Sequence, residues 1–235
     1  MLSVLIPVFN EAEILAGTVA TVHAYLIEFS IEHEIIVTSN GSTDETNIIG
    51  RRLASEYPWF RFFELPERGV GTAFRIAVEQ ARSEHLICLD ADLAGDLSFL
   101  LHANDLLKYA DMVVGSKTMG DQRRSLHRIV ASQLYIAAAQ FWFDMTISDY
   151  SLGCKGFRRS AILPALPHIE AWTGYVFELA LFLKRRGANV IQIGIDCNDR
   201  RKSHFNLFHE GFHRFRHLAR CYRILNQKSS WFQNP

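Results

Sequence analysis

Asp90 and Asp92 stand two residues apart, directly after the apolar run Leu86-Ile87-Cys88-Leu89. Two carboxylates at that spacing repel each other unless a cation lies between them. Hard divalent ions such as Mg2+ or Mn2+ take oxygen ligands of this kind, and diphosphate oxygens complete their shell. An isolated Asp-x-Asp is more often a solvated turn, so position has to decide. Three other apolar runs end in polar or glycine-rich segments: Pro7 to Glu11, Ser39 to Ser42 and Arg68 to Gly71.

The elements that would carry these segments alternate. Strand-like runs cover 2–8, 33–38, 60–65, 85–90 and 111–115, and helical patterns cover 11–29, 44–56, 72–82 and 97–109. Strands and helices in such alternation imply a mainly parallel sheet with helices on both faces. Ligands of such sheets lie beyond the carboxyl ends of the strands, so the four polar segments are expected to meet at one crevice. The second half is less regular. It holds a helix over 126–143, the segment 149–159, a helix over 175–186, a strand over 189–195 and a basic C-terminal helix at about 205–225. Residues 226–235 read as a tail.

The chain has 235 residues, 49% of them hydrophobic, which suits one domain and excludes wholesale disorder. Lys plus Arg and Asp plus Glu are 25 each, but residues 1–116 hold 7 basic and 17 acidic residues and residues 117–235 hold 18 and 8. An acidic half joined to a basic half suggests a metal on one side and an anion on the other. The four cysteines form no C-x-x-C pair, so the spacing indicates neither a zinc ribbon nor a dithiol redox site. The start shows no secretory signal pattern, and a reducing, cytosolic setting is expected. The longest uncharged run, 129–143, is 15 residues, short of the roughly 20 a spanning helix needs.

Several motifs in order carry a resemblance: IPVFNE at 6–11, EIIV followed by NGSTD at 40–44, RGVGTA at 68–73, LDADL at 89–93, VVGSK at 113–117, Arg128-x-x-x-Ser132, and ISDYSLGCKGFRRS at 147–160. The chain resembles family 2 glycosyltransferases of the GT-A fold. Within them it is similar to the polyprenyl-phosphate branch, the dolichol-phosphate mannosyltransferase type, over residues 2–215. The resemblance implies one domain over 1–225, with a nucleotide-sugar and metal half (1–116) and an acceptor half (117–225). It implies inverting transfer of a hexose, mannose or glucose, from a GDP- or UDP-linked donor. Pro7, Phe9 and Glu11 then line the nucleotide, with Ser39 and Asn40 beside the base. Asp90, Ala91 and Asp92 hold ribose, diphosphate and the Mg2+ or Mn2+ ion. Lys117, Arg128, Ser132 and one of Arg200 and Arg201 meet the acceptor phosphate, and Asp92 and Asp149 are the expected catalytic residues.

The departures from the family pattern fall at the donor end. Ser39-Asn40 replaces the usual Asp-Asp, exchanging a pure acceptor for an amide that offers both donor and acceptor. Ala94 replaces a common Gln, leaving water or Asp96 to complete a metal shell. Lys117 replaces an Arg, keeping the charge without the bidentate fork.

A phosphate acceptor is ionised at neutral pH and needs no general base, so alignment and leaving-group stabilisation suffice. Two helices bear on a lipid. The helix over 126–143 is apolar nearly all round and reads chiefly as core. The C-terminal helix places Phe208, Phe212, Phe215, Leu218, Tyr222 and Leu225 at helical spacing among Arg214, Arg216, Arg220 and Arg223. That pattern suits a membrane surface, and the expected place is the cytosolic face of a membrane, peripherally bound. Two alternatives stay open: a family 2 transferase acting on a soluble sugar or glycan hydroxyl, with Asp149 as base, and a nucleotide-sugar-binding protein without turnover. No nucleic-acid-binding motif is recognised, and no nucleic-acid partner is expected.

Overall fold

The structure, a computed structural model, describes residues 1–117, 119, 126–197 and 207–226, with the side chains of 126–128, 207–212 and 225–226 excepted. Seven strands form one sheet in the order β3-β2-β1-β4-β6-β5-β7. They are β1 (Leu2–Val8), β2 (His33–Asn40), β3 (Phe60–Leu65), β4 (His85–Cys88), β5 (Met112–Ser116), β6 (Lys155–Arg158) and β7 (Val190–Gly194). All pairings are parallel except those of β6, which runs antiparallel between β4 and β5.

The helices are α1 (Leu15–Glu28), α2 (Thr46–Glu56), α3 (Val70–Gln80), α4 (Ser98–Leu106), α5 (Leu126–Phe143), α6 (Arg159–Ile162), α7 (Tyr175–Arg185) and α8 (Leu207–Asn226), and a 3-10 turn covers Leu163–His168. One core, beneath α1 and α4, joins Val4, Ile6, Ile35 and Val37 to Leu15, Val22, Phe99 and Leu100. The other joins Leu5, Ile36 and Leu86 to Phe74 of α3, Tyr135 of α5, Phe177 of α7 and Leu218 of α8. Successive strand residues point to opposite faces, so β1 and β2 feed both cores, as near-continuous apolar runs of buried parallel strands do.

Four local readings are corrected. The pattern from Glu11 becomes helix only at Leu15, because residues 10–12 are spent tying two loops together. Asn10 takes a left-handed conformation (φ 54°) and its N–H donates to Ser42 Oγ, while the Glu11 N–H donates to Thr46 Oγ1. β6 was not expected: a four-residue strand with Lys155 and Gly156 has little propensity of its own, and it forms because it fills the gap between β4 and β5.

α5 is half core only. Tyr135, Ala139 and Phe143 are buried, while Val130 and Leu134 are more than half exposed and Phe141 is 85% exposed. The face of α8 is also rotated from the aromatic stripe: His217, Leu218 and Cys221 are buried, and Phe215 and Tyr222 lie at the exposed edge. Phe208, Phe212 and Leu225 lie outside the described side chains. No helix among the described residues is long and apolar enough to cross a membrane.

Candidate active site

A cavity of about 360 Å³ opens at the carboxyl ends of β1, β2 and β4. That volume lies within the range of small-ligand sites. Pro7, Phe9, Glu11, Asn40, Asp90, Ala91, Asp92 and Lys117 all line it, so residues spread over more than a hundred positions meet there. The register explains part of this. Val8 pairs with Ser39 and Leu5 with Cys88, so β1 and β2 end level and β4 ends three residues short of them, with Asp90 and Asp92 in the stretch that follows.

The acidic turn is held from both sides. The Leu93 N–H donates back to Asp90 O, and Leu93 adopts a left-handed conformation (φ 49°). Such a conformation is costly for a non-glycine residue and tends to persist where surrounding structure enforces it. Asp92 projects to solvent at the mouth, one of its oxygens accepting from the Ala94 N–H, and Asp90 sits deeper, its Oδ2 accepting from the Gly153 N–H at 2.8 Å. Burial raises the Asp90 pKa, and the neighbouring Asp92 charge adds to that, against the Gly153 N–H and the lysines. This donor set fits a hard divalent ion, because a cation shared by the two carboxylates relieves that repulsion. Asp96 is directed elsewhere: its carboxylate accepts from the Ser98 N–H and hydroxyl, and it does not line the cavity. Ala94 does line it.

Gly153 is required by closeness. A Cβ there would lie 2.4 Å from Asp90 Oδ1. Gly41 is required twice over, by φ of +71° and by the Glu67–Arg68 backbone within 2.8 Å of where its Cβ would be. That contact brings the Arg68 loop over the crevice. Asn40 Oδ1 accepts from the Gly69 N–H, and the Arg68 guanidinium stacks 3.9 Å from the Phe9 ring centroid and 5.3 Å from that of Trp172. Ser39 does not line the cavity: its hydroxyl is buried and donates to Ser42 Oγ.

The Asp149 side chain lies behind the wall. It is 1% exposed, and Oδ1 accepts from the Ser151 and Leu152 N–H groups and the Ser151 hydroxyl, while Oδ2 faces the Lys117 N–H and lies 3.7 Å from Lys117 Nζ. Burial opposes its ionisation, but Lys155, Lys117 and the backbone N–H groups outweigh burial and hold its pKa below the ordinary value. Lys155, also buried, donates to Leu152 O, and burial lowers its pKa against the pull of Asp149. Lys117 Nζ donates to Ser151 Oγ at 2.8 Å.

Sequence reading missed three residues of the site. Arg214, counted there with the outer basic face of α8, lines the cavity, its guanidinium 5.9 Å from the Tyr135 ring centroid. Tyr150 lines the wall, with a buried hydroxyl that finds no hydrogen-bond partner among the described residues. Tyr175, at the start of α7, lines it too. The one sequence signal for Arg214 was its place three residues before His217, on what proves to be the buried face. Ser132 is half-buried on the α5 face that carries Tyr135 and does not line the cavity. The side chain of Arg128, and Arg200 and Arg201 entirely, lie outside the described residues.

A mainly parallel sheet with one antiparallel strand inserted, and a carboxylate pair at the end of β4, define a GT-A glycosyltransferase fold. The family model "Glycosyl transferase family 2" matches residues 3–163, and the chain belongs to that family. Glycosyltransferase AglD of Haloferax volcanii is 30% identical over 203 residues, 83% of this chain and 32% of that protein. A dolichyl-phosphate beta-glucosyltransferase, ALG5C, of Trichomonas vaginalis is 24% identical over 212 residues, 83% of this chain and 63% of that one. An undecaprenyl-phosphate 4-deoxy-4-formamido-L-arabinose transferase of Pseudomonas syringae is 25% identical over 162 residues, 68% and 48% of the two chains. The chain thus spans from a third to under two thirds of the length of these relatives.

Among solved structures, mannosyl-3-phosphoglycerate synthase from Rubrobacter xylanophilus superposes with a TM-score of 0.71 at 16% identity, covering 97% of this chain and 76% of that one. Glucosyl-3-phosphoglycerate synthase from Mycobacterium tuberculosis, in complex with Mn2+ and UDP-glucose, gives 0.67 at 19%, covering 93% and 77%. These likenesses bear out the fold expected from the motifs.

Proposed function

We propose that this chain carries an inverting hexosyltransferase site that moves mannose or glucose from a GDP- or UDP-linked donor to a polyprenyl phosphate at a membrane surface, on its cytosolic face. The observation that carries the reading is one cavity lined by both signs of charge, Asp90 and Asp92 together with Lys117 and Arg214, the last with its guanidinium 5.9 Å from the ring of Tyr135 on α5. The names of the relatives that act on dolichyl and undecaprenyl phosphates support the acceptor class.

In this reading Pro7, Phe9, Glu11 and Asn40 line the nucleotide, and Arg68, stacked on Phe9, closes over it. A divalent ion at Asp90 and Asp92 would neutralise charge on the departing diphosphate. Lys117 and Arg214 hold the acceptor phosphate by charge-assisted hydrogen bonds and aim its oxygen at the anomeric carbon from the face opposite the leaving group. Asp149 is a positioning residue: it fixes the Lys117 backbone and the 151–153 loop that in turn holds Asp90. A carboxylate buried, saturated with donors and held below its ordinary pKa is a poor proton acceptor. That favours a phosphate acceptor, already ionised, over a sugar hydroxyl.

The lipid face has its own support. Val130, Leu134, Phe141 and Trp142 of α5 and Phe215 and Tyr222 of α8 are exposed, beside the exposed Arg216, Arg220 and Arg223. Apolar and aromatic side chains rimmed by arginines suit the headgroup region of an anionic bilayer.

The test is transfer of radiolabelled sugar from a panel of GDP- and UDP-sugars to a polyprenyl phosphate, with Mn2+ or Mg2+ and with chelator. Label in the organic phase that requires metal, and that falls by about 100-fold or more in Asp92→Asn with an unchanged circular dichroism spectrum, is the expected result. Label that appears only on soluble sugars, or a fully active Asp92→Asn, refutes it.

A further inference from the structure

A second cluster of metal-ligating side chains lies away from the Asp90/Asp92 turn, between α7 and α8. Glu178, His217 and Cys221 are all buried, and one ligand atom from each falls within 4.8 Å of the others. His217 and Cys221 are one turn apart on α8, so both face α7. His217 Nε2 lies 2.9 Å from Glu178 Oε1, 3.5 Å from Cys221 Sγ and 3.8 Å from Glu170 Oε2. A ring nitrogen carries at most one proton, yet three lone-pair atoms from three other residues converge on this one. Two carboxylates thus face this imidazole where water is nearly excluded, each also taking one backbone N–H, Glu178 Oε2 from Glu170 and Glu170 Oε1 from Gly174; a cation would offset the negative charge that remains. His213 offers partial relief from the rim, its Nε2 3.4 Å from Glu170 Oε2.

We propose that Glu178, His217 and Cys221 are three protein ligands of a structural Zn2+ site, with Glu170 beside it. Ligand type selects the metal: imidazole and thiolate favour zinc, whereas the all-carboxylate pair at Asp90 and Asp92 favours Mg2+ or Mn2+. Metal–ligand bonds of about 2.0–2.3 Å in a tetrahedron set ligand atoms roughly 3.3–3.7 Å apart. Cys221 Sγ is at that distance from His217 Nε2 but also lies 4.0 Å from Nδ1, so metal binding would turn the His217 ring until the Nε2 lone pair points between Cys221 and Glu178, and would move Glu178 back by a few tenths of an ångström. The function follows from place. The site fastens α8 to α7 one turn beyond Arg214, so it fixes the helix that delivers Arg214 to the cavity. That role rests on the acceptor-phosphate reading of Arg214; the metal site itself does not.

The test uses the full chain, purified with Zn2+ and dialysed into metal-free buffer. Wild type and Asp92→Asn are expected to keep one equivalent of zinc each, because the crevice pair takes no part. Replacement by Co2+ is expected to give tetrahedral d–d bands and a thiolate-to-cobalt charge-transfer band. Cys221→Ser loses that band, and Glu178→Gln, which keeps an acceptor for His217 and hence the packing, loses the stoichiometric zinc. Wild type without stoichiometric zinc and without the thiolate band, or a band that survives in Cys221→Ser, overturns the site. Neither outcome bears on sugar transfer, which is measured separately.

Discussion

At the residue scale, the site depends on groups held in one charge state. The Asp149 pKa is lowered in the folded chain, so its stabilising contribution is complete above the ordinary Asp value near 3.9 and is lost as pH falls from there through the folded value. Asp90 has the opposite sign: its raised pKa makes the buried anion a cost at neutral pH, relieved on protonation. Asp149→Asn removes the partner of two buried lysines, and is expected to cost about 3–5 kcal/mol at neutral pH. It should also flatten the acid limb of stability, as measured by urea midpoints from pH 7 downward. A midpoint that falls in parallel with wild type on acidification excludes Asp149 as the source of that limb. Arg214 gives a kinetic prediction. Arg214→Ala should raise the acceptor KM by roughly 10- to 100-fold, the worth of a charged hydrogen bond, with the donor KM unchanged. Arg214→Lys should recover part of the loss. A shift confined to the donor KM would place Arg214 at the nucleotide instead.

At the element scale, α5 and α8 show how context overrides pattern. An apolar helix of 18 residues reads as core, but the protein has room for only one side of it, the side of Tyr135, Ala139 and Phe143. The other side carries Val130, Leu134 and Phe141, all more than half exposed, whereas Trp142 lies toward the buried side and packs on Tyr222 of α8. Phe141→Ser combined with Leu134→Ser should leave thermal stability nearly unchanged and weaken binding to anionic vesicles by about tenfold or more, since each large apolar side chain buried in the bilayer is worth about 1.5–3 kcal/mol. Added salt should weaken the remaining binding, as the Arg216, Arg220 and Arg223 contribution is screened. Equal sedimentation of wild type and the double variant with vesicles would remove this face from the lipid contact.

At the scale of the whole molecule, the two halves marked by charge are not separable. β6 comes from the second half, yet it lies between β4 and β5 of the first, and its loop supplies the Gly153 N–H to Asp90. A fragment of residues 1–116 therefore lacks the strand that joins β5 to the sheet and leaves strand edges open to aggregation. It should show no cooperative thermal transition, where the full chain shows one. A sharp melt for the fragment would mean that the acidic half folds by itself.

The order of strands and helices through residue 116, the crevice at their carboxyl ends and the Asp90/Asp92 turn were legible in the residues, because each rests on local periodicity and on a rule that parallel sheets obey. Pro7, Phe9, Glu11, Asn40 and Lys117 were placed by the motifs and do meet in the cavity. Propensity could not find β6, whose pairing partners lie about 40 to 70 residues earlier in the chain. Nor could helical spacing fix the rotation of α8: its aromatic stripe and its His217–Leu218–Cys221 face are both amphipathic, and only packing against α5 and α7 chose between them. That choice turned Arg214 inward and brought His217 to Glu178, 39 positions away. Local chemistry is written in consecutive residues, whereas the meeting of distant side chains is decided by which faces the finished core can bury.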